Sequence, residues 1–285
     1  MPFRTLDVLS EPGSPHKANE DLVLAIPGMC VVLDGATGLG RKLLSEEASD
    51  AQWFVRALGY NLRSAWQHPD FATALRAAVH QTAKVFSHKT RGMEVLPHEQ
   101  PSASLVALVL EQGKPVLYQA SDCFAVSMRQ GIVKKLLPPC PLQALDDADL
   151  SQMRQFIEQG STPEQARAQV AERIVAKRSS MNTAPGYPSV STQPDSPSAL
   201  VRVEMDLEPG TEILLMSDGF EMFFAYQELT RSRKGYSHCP SLAAGASLRT
   251  AVEWLRMCER IDAGMKDLVR FKLHDDASAI RLQIT

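Results

Sequence analysis

Met29-Cys30-Val31-Val32-Leu33-Asp34-Gly35 is an apolar run closed by an acidic turn, and its reading decides the fold. The pattern recurs: Glu212-Ile213-Leu214-Leu215-Met216 delivers Ser217-Asp218-Gly219, and Asp275-Asp276 stands just ahead of Ala277-Ser278-Ala279-Ile280-Arg281-Leu282. A fourth acidic turn, Asn19-Glu20-Asp21, precedes Leu22 to Ala25. Short apolar runs bounded by turns read as buried strands. Such strands carry their acidic ends to one edge of a sheet, where several carboxylates converge only if a cation neutralises their repulsion. Oxygen donors point to a hard divalent ion, Mg2+ or Mn2+.

Working outward, Leu22 to Ala25 and Met29 to Leu33 form two strands joined by Ile26-Pro27-Gly28. The period then changes. Ala48, Ala51, Val55, Leu58 and Leu62 recur at helical spacing and predict a helix from Ser45 to Leu62, with Glu46 and Glu47 in its first turn. A second helix runs from an Asp70 cap through Val85. Hairpins follow, Ser102–Leu110 with Val116–Ala120 and Phe124–Met128 with Ile132–Leu136, each turning at a glycine. Residues 146–179 read as helical, with Ser161-Thr162-Pro163-Glu164 as a start signal inside them. The polar stretch 179–199 reads as a loop or active-site flap. Strands at Leu200–Met205 and Glu212–Met216 and a helix at Ser247–Ile261 complete an α+β pattern, in which hairpins exclude an all-parallel sheet.

With 285 residues, 44% hydrophobic and 22% charged, the chain suits one globular domain, residues 1–285. A formal net charge of −3 without a long basic run gives no reason to expect nucleic acid or an anionic membrane as partner. No apolar stretch approaches the ~18 residues of a membrane span, and the opening Met1-Pro2-Phe3-Arg4 lacks a secretory layout, so the expected compartment is cytoplasmic. Five cysteines without a Cys-x-x-Cys pair read as reduced, mostly buried thiols.

The order of Asn19-Glu20-Asp21, Leu33-Asp34-Gly35-Ala36-Thr37-Gly38, Ala120-Ser121-Asp122, Met216-Ser217-Asp218-Gly219-Phe220 and Asp275-Asp276-Ala277-Ser278 resembles that of the PP2C (PPM) metal-dependent protein phosphatases, over nearly the whole chain. The resemblance implies a four-layer α-β-β-α sandwich of two mostly antiparallel sheets. It implies hydrolysis of phosphoserine and phosphothreonine on proteins, opposing a Ser/Thr kinase, by attack of a hydroxide bridging two Mn2+ or Mg2+ ions. Asp34 would then bridge the ions, the Gly35 carbonyl would bind one, and Glu20, Asp218 and Asp275 would complete the other. Asp21 would act through bound waters, and Asp122 would hold a weaker third ion.

The chain departs from that family at three places. His16, with Lys17 beside it, stands where an arginine usually grips the substrate phosphate; a point charge there replaces a bidentate fork. Ser121-Asp122-Cys123-Phe124 replaces the usual Gly-Asp-Ser-Arg, and Ala36-Thr37 replaces His-Gly or Met-Gly. His16 also supports a second reading, a regulatory or binding module with little turnover. A third, a NAD(P)-binding Rossmann turn, rests on Gly35-Ala36-Thr37-Gly38-Leu39-Gly40. Against it, Asp34 would set a carboxylate beside the pyrophosphate, and the residues about twenty on read as helix. Gly35 and Gly219 are expected to supply positive φ and close backbone approach. His274, next to Asp275 in a presumed strand, is expected to face away from it.

Overall fold

The computed structural model describes residues 3–44, 46–67, 70–231, 236 and 238–285. Among them the chain runs β1 (Phe3–Glu11), β2 (Asp21–Ile26), β3 (Met29–Ala36), α1 (Asp50–Ala65), α2 (Phe71–Lys89), β4 (Ser102–Glu111), β5 (Lys114–Ala120), β6 (Phe124–Arg129), β7 (Ile132–Lys135), α3 (Pro141–Glu158), α4 (Pro163–Gln169), α5 (Ala171–Ser179), β8 (Val190–Ser191), β9 (Val201–Glu204), β10 (Glu212–Met216), α6 (Glu221–Thr230), α7 (Leu248–Ile261) and β11 (Ala277–Ile284). One sheet has the order β1-β11-β10-β6-β7 and the other β2-β3-β4-β5-β9, with β8 paired to β4. Every pairing is antiparallel.

Alternation along β3 explains why its run is continuously apolar. Cys30 and Val32 pack with Val106, Leu108, Leu117, Ile213, Leu215 and Ile280 between the two sheets. Met29, Val31 and Leu33 turn the other way, onto Phe54, Leu58 and Leu62 of α1 and Phe71 and Leu75 of α2. A strand covered on both faces has no polar face to show. The outer face of the first sheet is covered likewise: Leu214 and Met216 of β10 pack with Phe223 of α6 and Leu248, Ala251 and Leu255 of α7. Helices, sheet, sheet and helices thus form the expected four-layer α-β-β-α sandwich. Among the described residues no helix is long and apolar enough to cross a membrane.

Several local boundaries differ from the sequence expectation. The helix expected from Ser45 starts at Asp50, because Ser49 caps it by accepting from the Gln52 N–H at 3.0 Å; Glu46 and Glu47 precede the helix instead of charging its first turn, and Ser45 itself lies outside the described residues. The helical stretch 146–179 is three helices, α3 to α5, broken at the Thr162 capping box and again at Val170. In the 179–199 stretch, β8 pairs with Ser102 and Ala103 of β4, while Asn182 receives the Ser189 N–H and donates to the Ser189 carbonyl. Two further elements had no counterpart in the pattern: β1, whose side chains alternate little and which among the described residues pairs only with β11, and α6, which follows the Asp218 turn directly.

Candidate active site

Strand direction brings the acidic turns to one end of the sandwich. Asp34, near the end of β3, pairs across to Asp21 at the start of β2 and to Ser104 on β4. Asp34 shares the strand face of Val32, and Asp21 that of Val23, so both carboxylates sit on the sides turned toward the other sheet. In that sheet β10 and β11 run antiparallel, so Asp218, just past β10, lies near Asp275, just ahead of β11. The Asp218 N–H approaches Asp34 Oδ2 at 3.4 Å and links the sheets. Asp122, in the turn from β5 to β6, accepts from the Ser104 hydroxyl.

The carboxylates share one crowded, poorly solvated space. Burial pushes the Asp34 carboxyl well above its usual range, and the charges of Asp21, Asp122 and Asp275 push it further. Asp218 is raised in the same way, by burial and then by Asp34, Asp275 and Asp122. Burial also raises Asp122 against its Ser104 hydrogen bond. Asp21 is raised by burial and by the charges of Asp276 and Asp218, against the nearby hydroxyls of Ser278 and Ser217. Those hydroxyls donate elsewhere, to Ser10 Oγ at 2.8 Å and to the Ser278 carbonyl at 3.4 Å. Both Asp21 oxygens remain buried without a hydrogen-bond partner.

Glu20 is held from three sides that the sequence did not announce. Its N–H donates to Asp276 Oδ2 at 2.7 Å, while Asp276 Oδ1 accepts the Gly13 N–H at 2.7 Å. Thr37 Oγ1 donates to Glu20 Oε1 at 2.6 Å and accepts the Ala51 N–H at 3.3 Å, tying the carboxylate to the start of α1. The Glu20 carbonyl receives the Gly35 N–H at 3.1 Å. Gly35 and Gly219 are not among the positive-φ residues, which corrects half of the reason expected for them. Close approach alone demands glycine: a Cβ on Gly35 would overlap the Glu20 carbonyl, and one on Gly219 the Asp276 carbonyl.

A cleft of about 1120 Å³ opens at this end, between the 13–20 segment, α4 and α5, and residues 263–276. His16, Lys17, Glu20, Asp275 and Asp276 line it, whereas Asp34, Asp122 and Asp218 are not among its lining residues. His16 and Lys17 are exposed. His274 also lines the cleft, because residues 271–276 are not a strand; its Nδ1 meets Glu259 Oε2 at 2.6 Å. Among the described residues, no three His, Cys, Asp or Glu groups stand close enough to share one metal ion as placed. The all-carboxylate donor set and the orphaned Asp21 oxygens fit a hard divalent cation in chemistry and charge.

No protein-family model matches the chain, and no curated protein does either. Solved structures do. PppA, described as a key regulatory component of T6SS in Pseudomonas aeruginosa, superposes with a TM-score of 0.57 at 18% identity, over 100% of this chain and 99% of its own. The S. agalactiae serine/threonine phosphatase gives 0.56 at 13% identity, over 99% and 100%. The catalytic domain of the serine/threonine protein phosphatase PstP, in complex with two manganese ions, gives 0.53 at 16% identity, over 99% and 98%. End-to-end coverage at such low identity carries the architecture and not the activity: this chain has the fold of the PP2C (PPM) phosphatases.

Proposed function

We propose that this chain is a metal-dependent phosphatase acting on phosphoserine and phosphothreonine in proteins, as the counterpart of a Ser/Thr kinase. One observation carries the reading: Asp21 lies across the strands from Asp34, the Asp218 N–H reaches Asp34 Oδ2, and Asp122 accepts from Ser104, the β4 partner of Asp34, so four acidic turns meet at one end of a PP2C fold. A stable chain keeps four such charges together only with a counter-charge in prospect. The likeness to PstP, whose structure holds two manganese ions, makes Mn2+ or Mg2+ the apt cation.

Asp34 would contact both ions, with the Gly35 carbonyl, Glu20, Asp218 and Asp275 as the other direct ligands. Asp21 would receive hydrogen bonds from metal-bound waters, and Asp122 would hold a weaker third ion. When bound, such ions supply a nucleophilic water at neutral pH and offset the charge of the phosphoryl group. The protein's share is positional. Asp276 and Thr37 fix Glu20, and the Asp218 N–H fixes Asp34. His16 and Lys17, on the exposed wall of the cleft, would meet the incoming phosphopeptide as point charges.

The test is release of phosphate from a phosphothreonine peptide by purified protein in Mn2+, beside Asp34→Asn and wild type in excess EDTA. Turnover is expected in the first case only. Equal turnover in all three would sink the reading. A second reading, a binding or regulatory module, is favoured by the absence of any three-ligand grouping among the described residues. Tight Mn2+ binding with no hydrolysis of any phosphoester would select it.

A further inference from the structure

A phosphate dianion entering the cleft meets Glu20, Asp275 and Asp276 along its wall, so it needs a cationic partner there. Among the described residues, one Lys or Arg side chain forms an ion pair with a candidate metal ligand: Lys272 Nζ lies 2.7 Å from Asp275 Oδ1. Lys272 lines the cleft, and half of its side chain stays in contact with solvent, so the ammonium can move on its four-carbon stem. Asp275 stands just ahead of β11 and Asp218 just past its antiparallel neighbour β10, so the ion pair lies at the edge of the acidic cluster.

The other cations of this region are less suited. Arg256 is committed, donating to Glu259 Oε2 at 2.9 Å and to the Asp275 carbonyl. Lys17 is exposed and has no ion pair among the described residues. Arg167 stands on the α4 wall of the cleft, remote in sequence from every acidic turn.

Resting on the phosphatase reading, we propose that Lys272 is a phosphate-binding residue: paired with Asp275 in the metal-free chain, its ammonium transfers to the anionic oxygens of the phosphoryl group once Asp275 is committed to a metal ion. The lysine thus serves as an internal counter-ion first and a substrate ligand second. No covalent step is involved.

The experiment is calorimetric titration of inorganic phosphate into the protein in excess Mn2+, which requires no turnover. Lys272→Ala should weaken phosphate about tenfold or more, the worth of one charge-assisted hydrogen bond. Lys272→Arg should restore most of the loss. In Lys272→Ala Mn2+ affinity should be unchanged or tighter, because a competitor for Asp275 has been removed. Melting temperatures confirm that each variant is folded. Undiminished phosphate affinity in Lys272→Ala, no phosphate binding by wild type, or parallel loss of Mn2+ and phosphate would each overturn the inference. Lys272-dependent phosphate binding by a protein that hydrolyses no phosphopeptide would remove the phosphatase reading and leave the inference standing.

Discussion

Asp34 on β3 lies directly across from Asp21 on β2, in register, with both carboxylates on the face turned toward the opposing sheet. Like charges placed opposite one another cost stability in an ordinary sheet, about 1 kcal/mol at most per exposed pair. Here the pair is also buried, and neither Asp21 oxygen has a hydrogen-bond partner. Such a register demands relief, by a proton or by a cation.

That demand gives the metal-free protein a distinctive pH dependence. Asp21, Asp34, Asp122 and Asp218 all have carboxyls raised in the folded state by burial and, in part, by one another. In the unfolded chain they return to about 4. Between that value and the raised ones the native state binds more protons, so the cluster's penalty is absent below about pH 4 and grows as pH rises. The melting temperature of EDTA-treated protein should therefore fall from pH 5 to pH 8. Asp34→Asn should flatten that slope and melt higher than wild type at pH 8, on the order of 2 °C per kcal/mol of repulsion relieved. Added Mn2+ should reverse the ranking.

Thr37 should matter to metal binding without being a ligand. Its hydroxyl joins Glu20 Oε1 to the Ala51 N–H at the start of α1. Partners that orient ligands are worth roughly 10- to 100-fold in metal affinity. Thr37→Val should lower Mn2+ affinity by about tenfold by calorimetry, and Thr37→Ser should recover it. Equal affinity in all three proteins would remove Thr37 from the site.

Gly35→Ala and Gly219→Ala should destabilise by about 1–3 kcal/mol each in urea unfolding, as overpacked substitutions do. The clash is with backbone carbonyls, of Glu20 and of Asp276, which have little freedom to retreat. Gly92→Ala makes the contrast: a Cβ there meets nothing within 4 Å, and its cost comes only from φ of +82°.

The thiols should differ in reactivity. Burial pushes the Cys30 and Cys140 thiols up to about 11 and that of Cys258 to about 12. Cys123 is raised by burial and then by the charges of Asp34 and Asp122. Cys239 is raised too, but it alone is not buried. Since the thiolate is the reacting form, iodoacetamide at pH 8 should label Cys239 first, read by mass spectrometry. First labelling of Cys123 would show that the core beside Asp122 opens readily.

The sequence by itself determined the strands and the chemistry they end in. Runs such as Met29–Leu33 and Ile213–Met216 are apolar at every second position and between, which only a doubly covered strand needs, and the Asp residues closing or preceding the runs follow directly from their position in the chain. The Ser49 cap of α1 was missed, because Ala48 continues the helical period and carried the expected start back to Ser45. Tertiary structure alone decided which groups meet. Asp276 meets Gly13 because β1 pairs with β11, it meets Glu20 because the two sheets stack, and Glu259 meets His274 because α7 packs beside the approach to β11. The glycines at 35 and 219 followed the same rule: their turns were visible in one dimension, but the carbonyls that exclude a side chain come from elsewhere in the chain. Periodicity records which face of an element is buried, and it carries no information about which distant backbone arrives to cover it.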